Sequence, residues 1–168
     1  VPTPMLHWPD SMVTYCPEEK ILFSNDAFGQ HLASGSRFDD ENDLSVLYYE
    51  AKKYYANILT LYGRQAQAAL KALKGLDIEM IATGHGIIWR SHVQEIHDLY
   101  EKWSTGTLEK RAVVVFDTMW HSTEQMARTI TEAFQEKDVP AVFYDLKENA
   151  LSDIMTDILT SEYLAVGS

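Results

Sequence analysis

Apolar residues recur along the chain with two different periods, and each period predicts a different kind of element. Unbroken apolar runs that are typical of strands occur at residues 21–23 and 112–116, and a mainly apolar run containing Glu79 predicts a further strand at residues 78–82. Over residues 44–73, apolar positions instead recur at steps of three and four, which predicts helix with one buried face. Gly63 is expected to divide that stretch into two helices. The helical spacing returns at Val93, Ile96, Tyr100 and Trp103, so the first part of the chain is predicted to run strand, helices, strand, helix.

The remainder of the chain predicts an alternation of strands and helices. The run at residues 112–116 is rich in β-branched residues and is typical of a central parallel strand buried on both faces. Ser122 and Gln125 form a capping-box pattern at the start of a helix, whose buried stripe is predicted to be Met126, Ile130 and Phe134. A second strand, a second helix and a third strand are predicted at residues 141–144, 151–159 and 163–166. This order is βαβαβ, the unit of a doubly wound parallel sheet.

A change of composition near Leu108 predicts a domain boundary. Ser104, Thr105, Gly106 and Thr107 are small, lack periodicity and follow a helical pattern, as a linker does. We therefore expect two α/β domains, at residues 1–108 and 109–168. The chain starts without methionine and stops directly after a strand-like run, so we expect both domains to be partial.

Charge and cysteine content restrict the classes of function. The formal net charge is −11, and no basic cluster exceeds two residues, which disfavours a nucleic-acid or anionic-membrane surface. No apolar run approaches the roughly 18 residues that a transmembrane helix needs, and no signal-peptide pattern is present. Cys16 is the only cysteine, so no internal disulfide can form. We expect a soluble protein of the reducing cytoplasm.

Three loop segments each carry one candidate metal ligand next to an apolar run. They hold His7, Asp26 and His85, the last between Gly84 and Gly86. Loops at strand ends can aim side chains at one point, and two imidazoles with a carboxylate suit iron or zinc. Taken singly, each loop histidine is more often a surface residue. Two alternatives remain open for His31. It could donate a hydrogen bond beside the site of Asp26, or it could be a surface residue without a role.

A second candidate site lies where the strand at residues 112–116 passes into a helix. Backbone N–H groups and the helix dipole favour a phosphate at such a junction. Thr118, Ser122 and Thr123 add hydroxyl donors there, and the loop itself contains no basic residue. The glycine fingerprint of a dinucleotide site is absent, so a phosphate monoester is favoured. Plain capping of the helix by Ser122 is the alternative.

The candidate ligands lie in segments that resemble the diiron domain of flavodiiron proteins. The segments are Leu6-His7-Trp8-Pro9-Asp10-Ser11-Met12, Asn25-Asp26-Ala27-Phe28-Gly29-Gln30-His31 and Ala82-Thr83-Gly84-His85-Gly86-Ile87-Ile88-Trp89-Arg90. The resemblance implies the C-terminal part of a metallo-β-lactamase-like αββα domain. It further implies that His7 ligates one iron, that Asp26 bridges two irons, and that His85 ligates the other.

The later segments resemble the flavodoxin domain that follows the diiron domain in this family. They are Phe116-Asp117-Thr118-Met119-Trp120-His121-Ser122-Thr123 and Leu164-Ala165-Val166-Gly167-Ser168. The resemblance implies that FMN contacts Thr118, Met119, Trp120, His121, Ser122, Thr123, Gly167 and Ser168. Many flavodoxin-like loops have glycine where this chain has His121. If the loop needs a positive φ there, His121 is strained, or its ring points outward.

The resemblance implies an oxidoreductase that reduces dioxygen to water or nitric oxide to nitrous oxide. Electrons would pass from a rubredoxin-like donor through FMN to the two irons, within a head-to-tail homodimer. Two other functions remain open from the residues. One is a zinc-dependent hydrolase of the same fold, in which metals activate water. The other is a flavin electron carrier without catalysis of its own.

Overall fold

The computed structural model describes residues 1–168 and divides into two compact units. The first comprises Val1–Thr105 and the second Gly106–Ser168. The predicted boundary near Leu108 falls just after this division, between the last helix of the first unit and the first strand of the second. No helix in the chain has the length and apolar character that crossing a membrane requires.

The first unit contains a three-stranded sheet whose edge carries two of the candidate ligands. The strands are β1 (Thr14–Cys16), β2 (Ile21–Asn25) and β3 (Met80–Thr83), in the order β1-β2-β3. β1 pairs with β2 antiparallel, whereas β2 and β3 are parallel. The predicted strands at residues 21–23 and 78–82 are confirmed as β2 and β3, while β1 is too short for a recognisable pattern. Because β2 and β3 are parallel, the loops that follow them leave the same edge.

Three helices complete this unit, and an irregular turn separates the first two. They are α1 (Leu44–Tyr54), α2 (Gly63–Leu73) and α3 (Val93–Thr105). Between α1 and α2 lie a π turn, Tyr55–Leu59, and a short 3-10 turn, Thr60–Tyr62. The division of the helical stretch at Gly63 is therefore confirmed, with Gly63 opening α2. The π turn adds a residue to one turn of helix, so Tyr55, Ala56 and Leu59 are buried where unbroken spacing predicts Ile58.

The predicted linker is partly wrong, because α3 continues through Ser104 and Thr105. Their hydroxyl groups donate to the carbonyl oxygen of Glu101 at 3.1 and 2.8 Å, within the last turn of the helix. The helix ends before Gly106, whose φ of +71° is the left-handed conformation that glycine adopts most readily.

The second unit is a three-stranded parallel sheet with helices connecting its strands. Its elements are β4 (Glu109–Phe116), α4 (Ser122–Gln135), β5 (Ala141–Asp145), α5 (Leu151–Ile158) and β6 (Ser161–Gly167). The strand order is β5-β4-β6, and β4 is parallel to both neighbours. This confirms the predicted βαβαβ unit and matches the start of the flavodoxin-like order 2-1-3.

β4 is buried on both faces, as the unbroken apolar run predicts. Val113 and Val115 pack with Ile154 of α5. Val114 and Phe116 point to the opposite face and pack with Ala127 of α4. Alternate side chains of one strand therefore bind one helix on each side of the sheet.

The predicted start and buried stripe of α4 are wrong in detail. His121, not Ser122, is the N-cap residue, and no side chain caps the helix. Met126 and Ile130 are 65% and 40% exposed, whereas Ala127 is only 4% exposed. The small side chain of Ala127 lets the helix approach β4 closely, so the face turns toward Ala127 and Phe134.

Candidate metal and phosphate sites

Strand pairing brings Asp26 and His85 together. Asn25 and Thr83 are paired at the ends of β2 and β3, and the Gly84 N–H donates to the Asn25 carbonyl oxygen at 2.7 Å. Asp26 therefore begins one loop directly beside the loop that carries His85. A Cβ atom on Gly84 would lie 3.0 Å from that same carbonyl oxygen, so this close approach requires a residue without a side chain.

The carboxylate of Asp26 lies between the two candidate histidines. His85 Nε2 is 3.1 Å from Asp26 Oδ1, and His7 Nε2 is 3.4 Å from Asp26 Oδ2. Each imidazole thus faces a different oxygen of one carboxylate. Asp26 is buried, which lowers the local dielectric and strengthens its interaction with any cation placed beside it.

This arrangement suits a carboxylate shared between two metal ions. No group of three or more His, Cys, Asp and Glu side chains is arranged to hold a single metal ion. His7 and His85 instead address opposite oxygens of Asp26, as expected if each serves a different metal and the carboxylate bridges them. Imidazole and carboxylate together accommodate iron or zinc. The three predicted ligand residues are thus adjacent in the structure, and the donor set fits a pair of such metals.

Tyr54 lies against the rings of His85 and His31, although sequence reasoning assigned it only to a helix face. The Tyr54 ring centroid lies 6.0 Å from that of His85 and 4.9 Å from that of His31. Burial, reinforced by the charge of Asp26, raises the pKa of Tyr54 well above its ordinary value. Tyr54 therefore remains a neutral phenol at neutral pH. No periodic signal could have distinguished it from the other buried residues of α1.

The two tryptophans near the candidate ligands differ in their surroundings. Trp89 is fully buried, and its indole N–H donates to the Phe28 carbonyl oxygen at 2.8 Å. Trp8 is 62% exposed, and its ring centroid lies 5.7 Å from that of His7. Trp89 therefore supports the loop that carries Asp26, while Trp8 lies at the surface beside His7.

A buried carboxylate that sequence reasoning missed holds the segment following His85. Asp39 has 0% exposure and accepts backbone N–H bonds from Arg90, Ser91 and His92. Its Oδ2 also lies 3.0 Å from His92 Nδ1. Burial would raise the pKa of Asp39, but these hydrogen bonds outweigh it and hold the pKa below its ordinary value.

In the second unit, the predicted phosphate loop lies at the carboxyl end of β4. An open cavity of about 430 Å³ is lined there by Asp117, Thr118, Met119, Trp120, Ser122, Thr123, Lys147 and Ser168. Six of the eight predicted contact residues therefore share one cavity, although Ser168 lies some 50 residues along the chain from Thr118. Met119 and Trp120 are largely exposed at its rim.

An unpartnered hydroxyl group in this cavity favours a ligand with hydrogen-bond acceptors. Thr118 Oγ1 is buried and has no hydrogen-bond partner in the protein, which is costly unless a ligand or water satisfies it. Gly167, the seventh predicted residue, lies against Thr123, and a Cβ atom on it would lie 2.9 Å from Thr123 Cγ2. The hydroxyl groups and the N-terminus of α4 together suit a phosphate.

His121, the eighth predicted residue, has the left-handed conformation that is expected where related loops have glycine. Its φ is 63° and its ψ is 1°. Its side chain points away from the cavity, and Nδ1 lies 2.8 Å from Glu124 Oε2 at the surface. The hydrogen bond with His121 and, to a smaller extent, the one with Arg128 lower the pKa of Glu124. The backbone of His121 shapes the loop, while its ring faces Glu124 and solvent.

The sheet adds a cation that the loop sequence lacks. Lys147 follows β5, which lies beside β4, and its Nζ atom is 3.0 Å from Asp117 Oδ1 and contacts the Thr118 carbonyl oxygen. The hydrogen bond from Lys147 to Asp117, together with one from the Thr118 N–H, lowers the pKa of Asp117. The signal for Lys147 was its position after a strand at the same edge of the sheet.

Comparisons with known proteins agree with the two folds. Residues 1–86, about half of the chain, match the family model described as ODP family beta lactamase. A protein of Methanocaldococcus jannaschii described as uncharacterized is 51% identical over 99% of this chain and 42% of its own length. The nitric oxide reductase of Moorella thermoacetica is 41% identical over 100% of this chain and 43% of its own length.

Two solved structures extend the likeness to nearly every residue. The rubredoxin oxygen:oxidoreductase of Desulfovibrio gigas superposes with a TM-score of 0.96 at 36% identity, covering 99% of this chain and 43% of that protein. The flavodiiron protein of Giardia intestinalis gives a TM-score of 0.96 at 36% identity, and the likeness covers 100% of this chain and 42% of that protein. This chain therefore spans about two fifths of these proteins. It belongs to the flavodiiron family, with part of the ODP-type β-lactamase fold followed by part of a flavodoxin-like fold.

Proposed function

We propose that the protein is an oxidoreductase that reduces dioxygen to water or nitric oxide to nitrous oxide at a pair of irons. The observation that carries the proposal is the placement of His85 and His7 on opposite oxygens of Asp26, at 3.1 and 3.4 Å. A carboxylate addressed in this way from two sides suits two metals better than one. The nitric oxide reductase of M. thermoacetica and the oxygen oxidoreductase of D. gigas support this class of reaction.

The three side chains would have distinct roles toward the irons. Asp26 would bridge both, His7 would ligate one and His85 the other. When bound, the two irons would supply electrons and a positively charged clamp for a diatomic gas. The neutral phenol of Tyr54 and the ring of His31 lie beside His85, with ring centroids 6.0 and 5.7 Å from that of the imidazole.

FMN is proposed for the cavity of the second unit. Thr118, Ser122 and Thr123, with the N-terminus of α4, would hold its terminal phosphate, and the unpartnered Thr118 hydroxyl would gain an acceptor. Met119, Trp120, Gly167 and Ser168 would contact the remainder. FMN would supply one-electron steps between a donor and the irons. The lack of a dinucleotide glycine fingerprint supports FMN over FAD.

The wider arrangement is proposed on the same basis. Residues 1–108 would belong to the diiron domain and residues 109–168 to the FMN domain. A rubredoxin-like protein would be the donor, as the name of the D. gigas protein suggests, and a head-to-tail homodimer would bring FMN to the irons. The lone Cys16 suits a reducing cytoplasm.

His85→Asn provides the decisive test, because the two proposed sites lie in separate units. Wild-type protein prepared without oxygen should contain about two irons per chain, and reduced protein should consume dioxygen or nitric oxide. The variant should lose iron and gas consumption while it retains FMN and its reduction by a donor. Normal iron and turnover in folded His85→Asn would refute the ligand role.

Metal content, flavin reduction and gas consumption of the same samples distinguish the two alternative functions, a zinc hydrolase and a flavin electron carrier. A stoichiometric zinc content without iron would favour a hydrolase of this fold. Flavin reduction without consumption of either gas, unchanged by Asp26→Asn, would favour a flavin electron carrier.

A further inference from the structure

The loops that carry Asp26 and His85 are joined by one buried amide side chain, that of Gln30. Gln30 has 0% exposure. Its Oε1 accepts the Ile87 N–H at 2.6 Å, and its Nε2 donates to the Ile87 carbonyl oxygen at 3.1 Å. The amide therefore pairs with both backbone groups of a residue two positions after His85.

Further hydrogen bonds of Gln30 tie this pairing to both candidate ligands. Its backbone N–H donates to the His85 carbonyl oxygen at 3.2 Å. Its Nε2 also lies 3.3 Å from the Phe28 carbonyl oxygen, which belongs to the loop of Asp26. All these partners are backbone groups next to the two ligands, so Gln30 acts on the loops rather than filling apolar space.

Two glycines leave the room that this contact needs. A Cβ atom on Gly86, whose φ is +82°, would lie only 2.0 Å from Gln30 Oε1. A Cβ atom on Gly29 would lie 3.0 Å from the Asp26 carbonyl oxygen and 3.3 Å from that of His85. The loops are thus packed backbone against backbone, with the Gln30 amide between them.

We infer that Gln30 is a positioning residue that holds His85 at its present separation from Asp26. The inference rests on the proposed metal site, because its consequence for function is the geometry of that site. A neutral amide suits this place, since it supplies a donor and an acceptor together without putting a second charge near the Asp26 carboxylate. Groups that orient metal ligands typically alter metal affinity by about 10- to 100-fold when they are lost.

Gln30→Met tests the inference, because methionine has a similar volume and flexibility but no donor and only a weak acceptor for Ile87. Gln67→Met is the matched control. It also removes a side-chain amide that donates to a backbone carbonyl, that of Ser104 at 2.6 Å, within the same unit. Co²⁺ binding and its visible spectrum would be measured on metal-free protein, together with amide hydrogen exchange at Ile87.

In Gln30→Met, Co²⁺ affinity should fall about 10- to 100-fold with a changed spectrum, and the Ile87 amide should exchange faster. Gln67→Met should match wild type in all three measurements. The inference would be overturned if Gln30→Met had the same Co²⁺ affinity, the same Co²⁺ spectrum and the same Ile87 amide exchange rate as wild type. Wild-type protein that binds no Co²⁺ would instead count against the metal site, and the Ile87 exchange rate would still decide whether Gln30 holds the loop.

A second variant guards against a failure of Gln30→Met to fold. Gln30→Glu retains an acceptor for the Ile87 N–H but loses the donor to the Ile87 carbonyl oxygen. Partial weakening of Co²⁺ binding and partial loss of Ile87 protection are expected. Full retention of both in Gln30→Glu would overturn the positioning role.

Discussion

Asn25 and Thr83 are paired neighbours at the ends of two parallel strands, β2 and β3. Fifty-seven residues separate them in the chain, yet the next residue of one loop, Asp26, meets the imidazole of the other, His85, at 3.1 Å. Parallel pairing places both loops at one edge of a rigid sheet, which is where functional side chains can be aimed together.

Replacing Asp26 by Asn should reduce the metal content of both proposed positions at once. The variant loses the negative charge that both histidines face, and a bridging carboxylate has no neutral equivalent. Iron per chain, measured on folded protein prepared without oxygen, should fall well below that of wild type.

Asp10→Asn is the control for Asp26→Asn, since Asp10 is an exposed aspartate of the His7 segment. Its iron content should equal that of wild type. Equal iron in wild type and both variants would contradict the bridging role of Asp26.

Asp39→Asn should destabilise the protein by about 1–3 kcal/mol at neutral pH, because the backbone N–H groups of Arg90, Ser91 and His92 lose a buried, charged acceptor. The folded-state pKa of Asp39 is lowered. The contribution of Asp39 to the free energy of unfolding is therefore fully present above the unfolded-state pKa, ordinarily near 3.8. It is lost as pH falls through the lower folded-state pKa. Chemical unfolding of wild type and variant across acidic pH would show their difference shrinking.

The neighbouring Asp40→Asn controls for charge at this loop. Asp40 is partly exposed and pairs with Arg90 at 3.0 Å, an arrangement that contributes little in water. Its loss should change the free energy of unfolding by less than about 1 kcal/mol. A larger effect for Asp40→Asn than for Asp39→Asn would contradict our interpretation.

His121→Gly should stabilise the protein by about 0.5–1 kcal/mol, since glycine relieves a φ of 63° at the N-cap of α4. Part of the relief is offset by the greater freedom of glycine in the unfolded chain. Thermal unfolding would measure the gain. Glu124→Gln removes the surface contact with His121 but leaves φ unchanged, so it should not stabilise; an equal gain in both variants would rule out backbone strain.

Gly167→Ala should weaken flavin binding, because the added methyl group meets Thr123 Cγ2 at 2.9 Å and displaces a proposed phosphate donor. The double variant with Thr123→Ser removes that methyl group but keeps the hydroxyl, so it should restore binding. Flavin content and FMN titration would measure both effects. Gly35→Ala, which meets nothing within 4 Å, should bind flavin as wild type does.

The sequence by itself determined most of the elements and the segments that carry the chemistry. Apolar periodicity located β2, β4 and the helices, since the spacing of apolar residues reports directly which face is buried. It also singled out Asp26, His85 and the loop from Thr118 to Thr123, because turn residues after a strand mark the end of a sheet.

Tertiary structure alone decided how those segments meet. His85 faces one oxygen of Asp26 because β2 and β3 pair in parallel, and the segment before β1 brings His7 to the other oxygen. Both are relationships between distant residues that periodicity does not encode. The same reason hid the buried contacts of Asp39 with residues 90–92 and of Gln30 with Ile87, and the contact of Lys147 with Asp117, which all join residues remote in the chain. The buried stripe of α4 was misplaced because how closely a helix approaches a sheet depends on the size of single residues such as Ala127, not on the period of the pattern.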